Sequence, residues 1–288
     1  MPIASLLAIG NELLNGEIRD TNLFMLSRGL THVGFTVAYA GLVRDDSARI
    51  VTMLHFLLAD APDVLICSGG LGPTTDDLTL SALAGALSRP LTFNPQARDL
   101  IAAQYAQLLG RGYLHAPGPE EARRKMATLP AGAQPLPNPL GTAPGVRLTH
   151  AETLLYVLPG VPAELEAIFA ESILPELHNR FTLGAWAERA LLIHCDDEAT
   201  AAPLLHQVAR RHPDVYLKSL AQPFPAAARE GLRVIATTCA AEAVLAQQAV
   251  TQTLADLQQL VEAAGLRVTL LDEQKSESGD WASVSGNT

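Results

Sequence analysis

Asp63-Val64-Leu65-Ile66-Cys67-Ser68-Gly69-Gly70-Leu71-Gly72-Pro73-Thr74-Thr75-Asp76-Asp77 runs from an unbroken apolar stretch into a glycine-rich turn with two terminal acids. Continuous apolar character without alternation suits a strand buried on both faces, as in a parallel sheet. The residues that follow predict a helix over 78–87. Upstream, residues 3–9 form a second such run, ending at Gly10. Asp20-Thr21-Asn22 supplies cap chemistry for a helix over 23–33, with Gly34 as its stop. A strand over 35–43 and a helix over 50–58, headed by Asp45-Asp46-Ser47, complete a βαβαβα order. That order predicts a doubly wound α/β domain with a mostly parallel sheet, helices on both faces and ligands at the carboxyl ends of the strands.

Downstream, residues 94–128 read as helical with a loop at 110–119. The 130–144 stretch is rich in Pro and Gly and reads as loop. A hairpin of 146–149 and 153–158 leads through Pro159-Gly160-Val161-Pro162 into a helix over 163–179. The first domain is therefore set at 1–180. From 181 to 272 the pattern changes to strands at 188–195, 215–220 and 232–238 with helices at 198–212 and 240–264, a smaller α+β domain. Residues 273–288 are polar and Gly/Ser-rich and are expected to be a disordered tail.

The chain has 288 residues, 30 Asp plus Glu against 20 Lys plus Arg, and a formal net charge of −10. Lysine occurs only at Lys125, Lys218 and Lys275, so the phosphate-neutralising patch needed for nucleic-acid binding is missing. No 18-residue stretch is uniformly apolar, and no basic segment precedes the first apolar run. No membrane partner and a cytoplasmic location are expected. Cys67, Cys195 and Cys239 are widely spaced and suggest neither disulfides nor a zinc site. The eight histidines form no ligand pattern.

The chemistry concentrates at strand ends. Gly69, Gly70 and Gly72 allow close backbone approach to a ligand, and Thr74 offers a hydroxyl. Glycines at a helix start favour phosphate, whereas Asp76 and Asp77 beside them repel it unless a divalent cation intervenes. The alternative is a plain turn with Asp77 as the helix cap. Asp45 ends the neighbouring strand and is placed to face Asp77, while Asp46 reads as a cap. Glu12 and Asp20 share the same rim. The loop with Asn138, Gly141 and Thr142 adds an amide, approachable backbone and a hydroxyl. Cys67 lies in an apolar strand and reads as core.

Five ordered motifs carry a resemblance. They are Gly10-Asn11-Glu12-Leu13-Leu14 with Gly16 and Asp20-Thr21-Asn22; Val43 with Asp45-Asp46; Ser68 through Asp77 with Thr79; Asn138-Pro139 with Gly141-Thr142-Ala143-Pro144-Gly145; and Leu158-Pro159-Gly160 with Pro162 and Glu164. Over about residues 3–178 the chain resembles the N-terminal region of the CinA family, which is similar to the MoaB/Mog molybdopterin-binding fold. The second unit, with Val215-Tyr216-Leu217-Lys218-Ser219, is similar to a KH-like module, without the GxxG loop that would suggest RNA binding.

The resemblance implies a divalent-metal-dependent pyrophosphatase using Mg, Mn or Co, which hydrolyses ADP-ribose to AMP and ribose 5-phosphate. Alternatives are an FAD pyrophosphatase, or a binding module for molybdopterin or another pterin phosphate without turnover. Carried over by position, Asp45 and Asp77 are the catalytic acids, and Asp77 and Glu164 are the metal ligands. Gly69, Gly70, Gly72 and Thr74 cradle phosphate, and Asn138, Gly141 and Thr142 contact the nucleotide. Glu164 otherwise reads as an ordinary first-turn acid of its helix. The longer relatives' nicotinamide mononucleotide deamidase activity is not expected. Self-association of Mog-type relatives implies a homo-oligomer.

Overall fold

β1 (Ile3–Ile9) is the hub of the larger of two units. It pairs in parallel with β2 (Thr36–Val43) and with β3 (Val64–Ser68), and β3 pairs in parallel with β8 (Thr153–Leu158). The computed structural model describes residues 1–221 and 231–271. The larger unit comprises residues 1–31 and 35–182, and the smaller comprises 32–34 and the residues from 183 onward. Every residue of β3 and β8 is buried. Leu7, Ile9, Leu65, Cys67, Leu155 and Val157 share one core cluster. Their alternates Leu6, Ile66 and Tyr156 are equally inaccessible, so the sheet is covered on both faces.

The sheet reverses direction beyond β8. β7 (Gly145–His150) runs antiparallel to β8, and β6 (Gln134–Leu136) antiparallel to β7, giving the order β2-β1-β3-β8-β7-β6. Val146 pairs with Val157, so β7 starts beside the carboxyl end of β8. This reversal delivers the 137–144 loop to the rim where β1, β3 and β8 end. β6 lies in the stretch expected to be loop; it is three residues long and contains Pro135, which an outer strand tolerates.

The helices are α1 (Asn11–Leu14), α2 (Asn22–His32), α3 (Ser47–Ala59), α4 (Thr79–Ala86), α5 (Pro95–Gly110), α6 (Glu120–Met126), α7 (Pro162–Ile168) and α8 (Leu174–Arg180). The expected caps of α2 and α3 form: Asp20 accepts from the Asn22 and Leu23 amides at 3.2 Å, and Asp46 from the Arg49 amide at 2.9 Å. At α4 the alternative reading of Asp77 as a helix cap fails. Its cap is Leu78, with no side-chain cap bond, so Asp77 does not cap it. The helix expected over 163–179 is interrupted by a π turn at Phe169–Ile173. Thr128, the last residue of the 94–128 segment, leaves the helix and opens β5 (Thr128–Pro130), which pairs with β4 (Leu91–Phe93).

The smaller unit is a four-stranded antiparallel sheet of order β10-β11-β9-β12. Its strands are β9 (Ala185–His194), β10 (Tyr216–Leu220), β11 (Leu232–Ala240) and β12 (Arg267–Leu271). α9 (Glu198–Arg211) and α10 (Ala243–Ala263) bury Val208, Val250, Leu254 and Leu257 with Leu191, Ile193 and Val234. β12 was not among the expected strands. The tail expected over 273–288 lies outside the described residues.

Candidate functional site

The carboxyl ends of β1, β2, β3 and β8 enclose a cleft of about 560 Å³. Six carboxylic residues line it: Glu12, Asp20, Asp45, Asp76, Asp77 and Glu164. Arg19 is the one basic residue of that lining. Gly69, Gly70, Gly72, Thr142 and Gly160 supply the close-approach surface. Thr74, Asn138 and Gly141 are not in the lining: Thr74 and Asn138 hydrogen-bond to Asp77 and Glu164, which are, and Gly141 lies against the Glu164 carboxylate.

Two glycines of the loop after β3 accept no substitute. Gly69 has φ 101°, and a Cβ there would lie 2.2 Å from the Ile9 carbonyl oxygen. Gly70 has φ 67°, and a Cβ would lie 2.2 Å from Thr79 Oγ1. That hydroxyl donates to the Gly69 carbonyl at 2.8 Å, and the Gly69 amide donates to Leu158 O at 2.9 Å. The amides of Gly70, Leu71 and Gly72 take part in none of the loop's backbone hydrogen bonds, which leaves three donors beside the cleft.

Lys125, on α6, holds the far side of this loop. Its Nζ donates to the carbonyls of Gly72 at 3.1 Å, Asp77 at 3.0 Å and Thr74. Asp77 Oδ2 accepts from the Thr74 amide at 2.8 Å and its hydroxyl at 2.6 Å. The carboxylate lies against Gly72, where a Cβ would be 2.6 Å from Oδ2. Thr74 Oγ1 also contacts Asp76. That contact, followed by Asp76's own amide and, more weakly, the Lys125 charge, holds the exposed Asp76 carboxyl below its usual range.

Asp45 and Glu12 are linked through α1. Asp45 Oδ2 accepts from the Asn11 amide at 2.8 Å, anchoring the turn that carries Glu12. Across the cleft, Asn22 donates to Gly160 O at 2.8 Å. Asn138 is 7% exposed and saturated. Its Nδ2 donates to Glu164 Oε2 at 2.7 Å and Ala143 O at 2.8 Å, and its Oδ1 accepts from the Leu140 and Gly141 amides at 3.1 and 2.8 Å. Asn138 therefore positions Glu164 and folds its own loop. Gly141 lies beneath the same carboxylate: a Cβ on it would be 2.1 Å from the carboxyl carbon.

The oxygen-only donor set suits a hard divalent cation. Among the described residues no group of three His, Cys, Asp or Glu side chains is placed to hold a metal. Asp77 and Glu164 each bond through one oxygen and keep the other clear of hydrogen bonds. Such a set fits a cation shared with ligand oxygens and waters, and does not fit a site made by protein alone. Cys67 belongs to the core: burial pushes its thiol up to about 12. Lys125, Asn22 and Thr79 were not expected in this arrangement. Lys125 lies 48–53 residues from the carbonyls it holds, and no local pattern announces the contact.

Residues 5–179 match the family described as "Probable molybdopterin binding domain". A protein of Pyrobaculum calidifontis is 41% identical over 219 residues, 76% of this chain and 80% of that protein. One of Thermococcus kodakarensis is 40% identical over 208 residues, 72% of this chain and 81% of its own length. Among solved structures, the protein CinA of Thermoplasma acidophilum, described as of unknown function, is 32% identical with a TM-score of 0.53. That likeness covers 62% of this chain and 97% of the other. Among the described residues no helix is long and apolar enough to cross a membrane.

Proposed function

Because the chain belongs to the molybdopterin-binding-domain family, with a CinA-like first domain, we propose that its cleft hydrolyses the pyrophosphate of a small nucleotide, ADP-ribose to AMP and ribose 5-phosphate, with a divalent cation, in the cytoplasm. The observation that carries this reading is the pairing of unbonded loop amides at Gly70, Leu71 and Gly72 with six carboxylic residues in one cleft. The amides suit phosphate oxygens, whereas the acids repel them. A ligand that satisfies both is a phosphate anion accompanied by a cation.

Asp77 and Glu164 would hold the cation, which when bound would neutralise charge on the bridging phosphates. The amides of 70–72 donate to the phosphoryl oxygens that gain charge during attack. Asp45 keeps one oxygen on the Asn11 amide, and its other oxygen is available to accept a proton from the attacking water. Thr142 and Asp20 border the space for the rest of the nucleotide. The family's description also favours a second reading, binding of a pterin phosphate without turnover.

ADP-ribose, FAD, NAD and molybdopterin, each incubated with Mg²⁺, Mn²⁺ or Co²⁺, distinguish the two. Release of AMP and ribose 5-phosphate from ADP-ribose, abolished in Asp77→Asn with an unchanged melting curve, is the expected result. Tight molybdopterin binding with no nucleotide cleavage would replace hydrolysis with the binding reading. FAD cleavage in preference to ADP-ribose would keep the chemistry and change the substrate.

A further inference from the structure

A second concavity, of about 220 Å³, lies between β4, α5 and α6 and shares no lining residue with the acidic cleft. Its walls include Phe93, Arg98, Arg123 and Arg124, with Glu120 also in the lining. This is a concentration of guanidinium groups on a chain of net charge −10. Arg98 already pairs with its neighbour Asp99 at 2.6 Å. Among the described residues neither Arg123 nor Arg124 has a carboxylate at ion-pair distance. Both are held by aromatic faces: the Arg124 guanidinium lies 5.0 Å from the Phe93 ring centre, and that of Arg123 5.9 Å from Tyr105. Arg123 Nε is buried without a hydrogen-bond partner.

Stacking on an aromatic face accounts for either arginine alone. It does not account for two adjacent, stacked arginines without a carboxylate partner in the lining of one hollow, one of them with a buried, unsatisfied Nε. A guanidinium keeps its in-plane donors when it stacks, and those donors match the paired oxygens of phosphate. The volume falls below the roughly 300–1,000 Å³ of pockets that take drug-sized ligands, so a whole nucleotide does not fit.

We propose that this hollow is a binding site for a small phosphate anion, inorganic phosphate or a simple phosphate monoester, held by Arg123 and Arg124 with Arg98 at the edge. Glu120 opposes the anion and limits its affinity. The site needs no metal, so its existence is independent of the function proposed for the acidic cleft.

The test is a titration of the full chain with inorganic phosphate in the presence of a chelator, followed by amide chemical shifts, with glycerol 3-phosphate as the monoester arm. Saturable shifts at Phe93, Arg98 and the 120–127 amides, weakening as salt is raised, are expected. Arg123→Gln with Arg124→Gln should weaken binding by about tenfold or more, and Glu120→Gln should strengthen it. Should the double glutamine variant fail to fold, Arg123→Lys with Arg124→Lys keeps the charge, loses the planar fork and should still weaken binding. Saturation by phosphate alone assigns the site to free phosphate, and saturation by the monoester alone assigns it to esters. No saturable shifts with either anion, shifts confined to Gly69–Asp77, or equal affinity in the arginine variants would each overturn the proposal.

Discussion

Asn138 Nδ2 donates to Glu164 Oε2 at 2.7 Å, joining the loop before β7 to the first turn of α7 across 26 positions of sequence. An acid that only complements a helix dipole stays solvated and contributes about 0.3–1 kcal/mol. Glu164 is instead fixed by a side chain that has no hydrogen-bonding capacity left and is pressed onto the bare backbone of Gly141. The arrangement fixes one oxygen and leaves the other turned to other duties.

Asn138→Asp should damage this arrangement by charge. The new carboxylate faces Glu164 and no longer donates to Ala143 O. A stability loss of about 1–3 kcal/mol is expected at neutral pH, recovered in part as pH falls and the pair takes up a proton. Chemical denaturation at pH 5 and pH 8 checks it; equal losses at both would contradict the pairing.

Gly141→Ala should act on Glu164 more than on the fold. The added methyl would overlap the carboxyl carbon at 2.1 Å, so the Glu164 side chain must move. Calorimetric titration with Mn²⁺ in the presence of AMP should show weaker cation uptake than in the unaltered protein. Gly85→Ala on α4 is the control: nothing lies within 4 Å of that Cβ, and a gain of about 0.4–1 kcal/mol is expected. Unchanged cation uptake in Gly141→Ala would mean that Glu164 is not a ligand.

Lys125→Met removes a charged donor from three carbonyls at once. The expected cost is about 1.5–3 kcal/mol or more, together with a large fall in nucleotide turnover, because the 70–77 loop loses its outer support. Lys125→Arg keeps the charge, but a planar fork does not converge on three carbonyls in the same way, so an intermediate result is expected. Melting curves and product assays on the pair decide the matter. Full activity in Lys125→Met would show the clamp to be dispensable.

Glu176 ties α8 to the sheet. Arg147 approaches it at 2.7 Å and the Tyr156 hydroxyl at 2.8 Å. Burial raises its pKa, but bonds from Arg147 and Tyr156 outweigh burial, and the net shift is downward from 4.5. The carboxylate's contribution to stability is therefore complete above about pH 4.5 and is lost as pH falls through the depressed folded value. Melting temperatures from pH 7 down to pH 3 should drop steeply below that point. Glu176→Gln should start about 1.5–3 kcal/mol less stable and show a shallower acid slope. Parallel slopes in the two proteins would exclude Glu176 as a source of the acid sensitivity.

Much of the fold could be read from the sequence because β1, β3 and β8 are largely apolar runs and α2 and α3 carry their own caps. β6 and β12 were not legible. β6 is a three-residue strand holding Pro135, and β12 follows Gly265 in a short segment whose pairing with β9 depends on residues more than 70 positions away. At the site, the glycine loop and its acids could be located because the motif is local. The division of labour could not. Asn138 looked like a ligand contact, yet all four of its hydrogen-bonding positions are used inside the protein. Asp77 read as an acid of the site, with a helix cap as the alternative; Thr74 claims its Oδ2 and the helix begins without it, so the cap fails. Propensity reports what a side chain does near its own backbone, and these assignments are settled by partners that topology brings in.

Lys125 gives the 69–77 loop a resident cation on a covalent tether. Dialysis does not remove it, and a chelator does not compete for it. The carbonyls of Gly72, Thr74 and Asp77 are therefore held by the protein's own cation. Stripping divalent cations should then stop turnover while hydrogen exchange at Gly70–Gly72 hardly changes. If the proposed function holds, ligand capture at this loop would proceed with little of the ordering cost that a floppy glycine segment would impose.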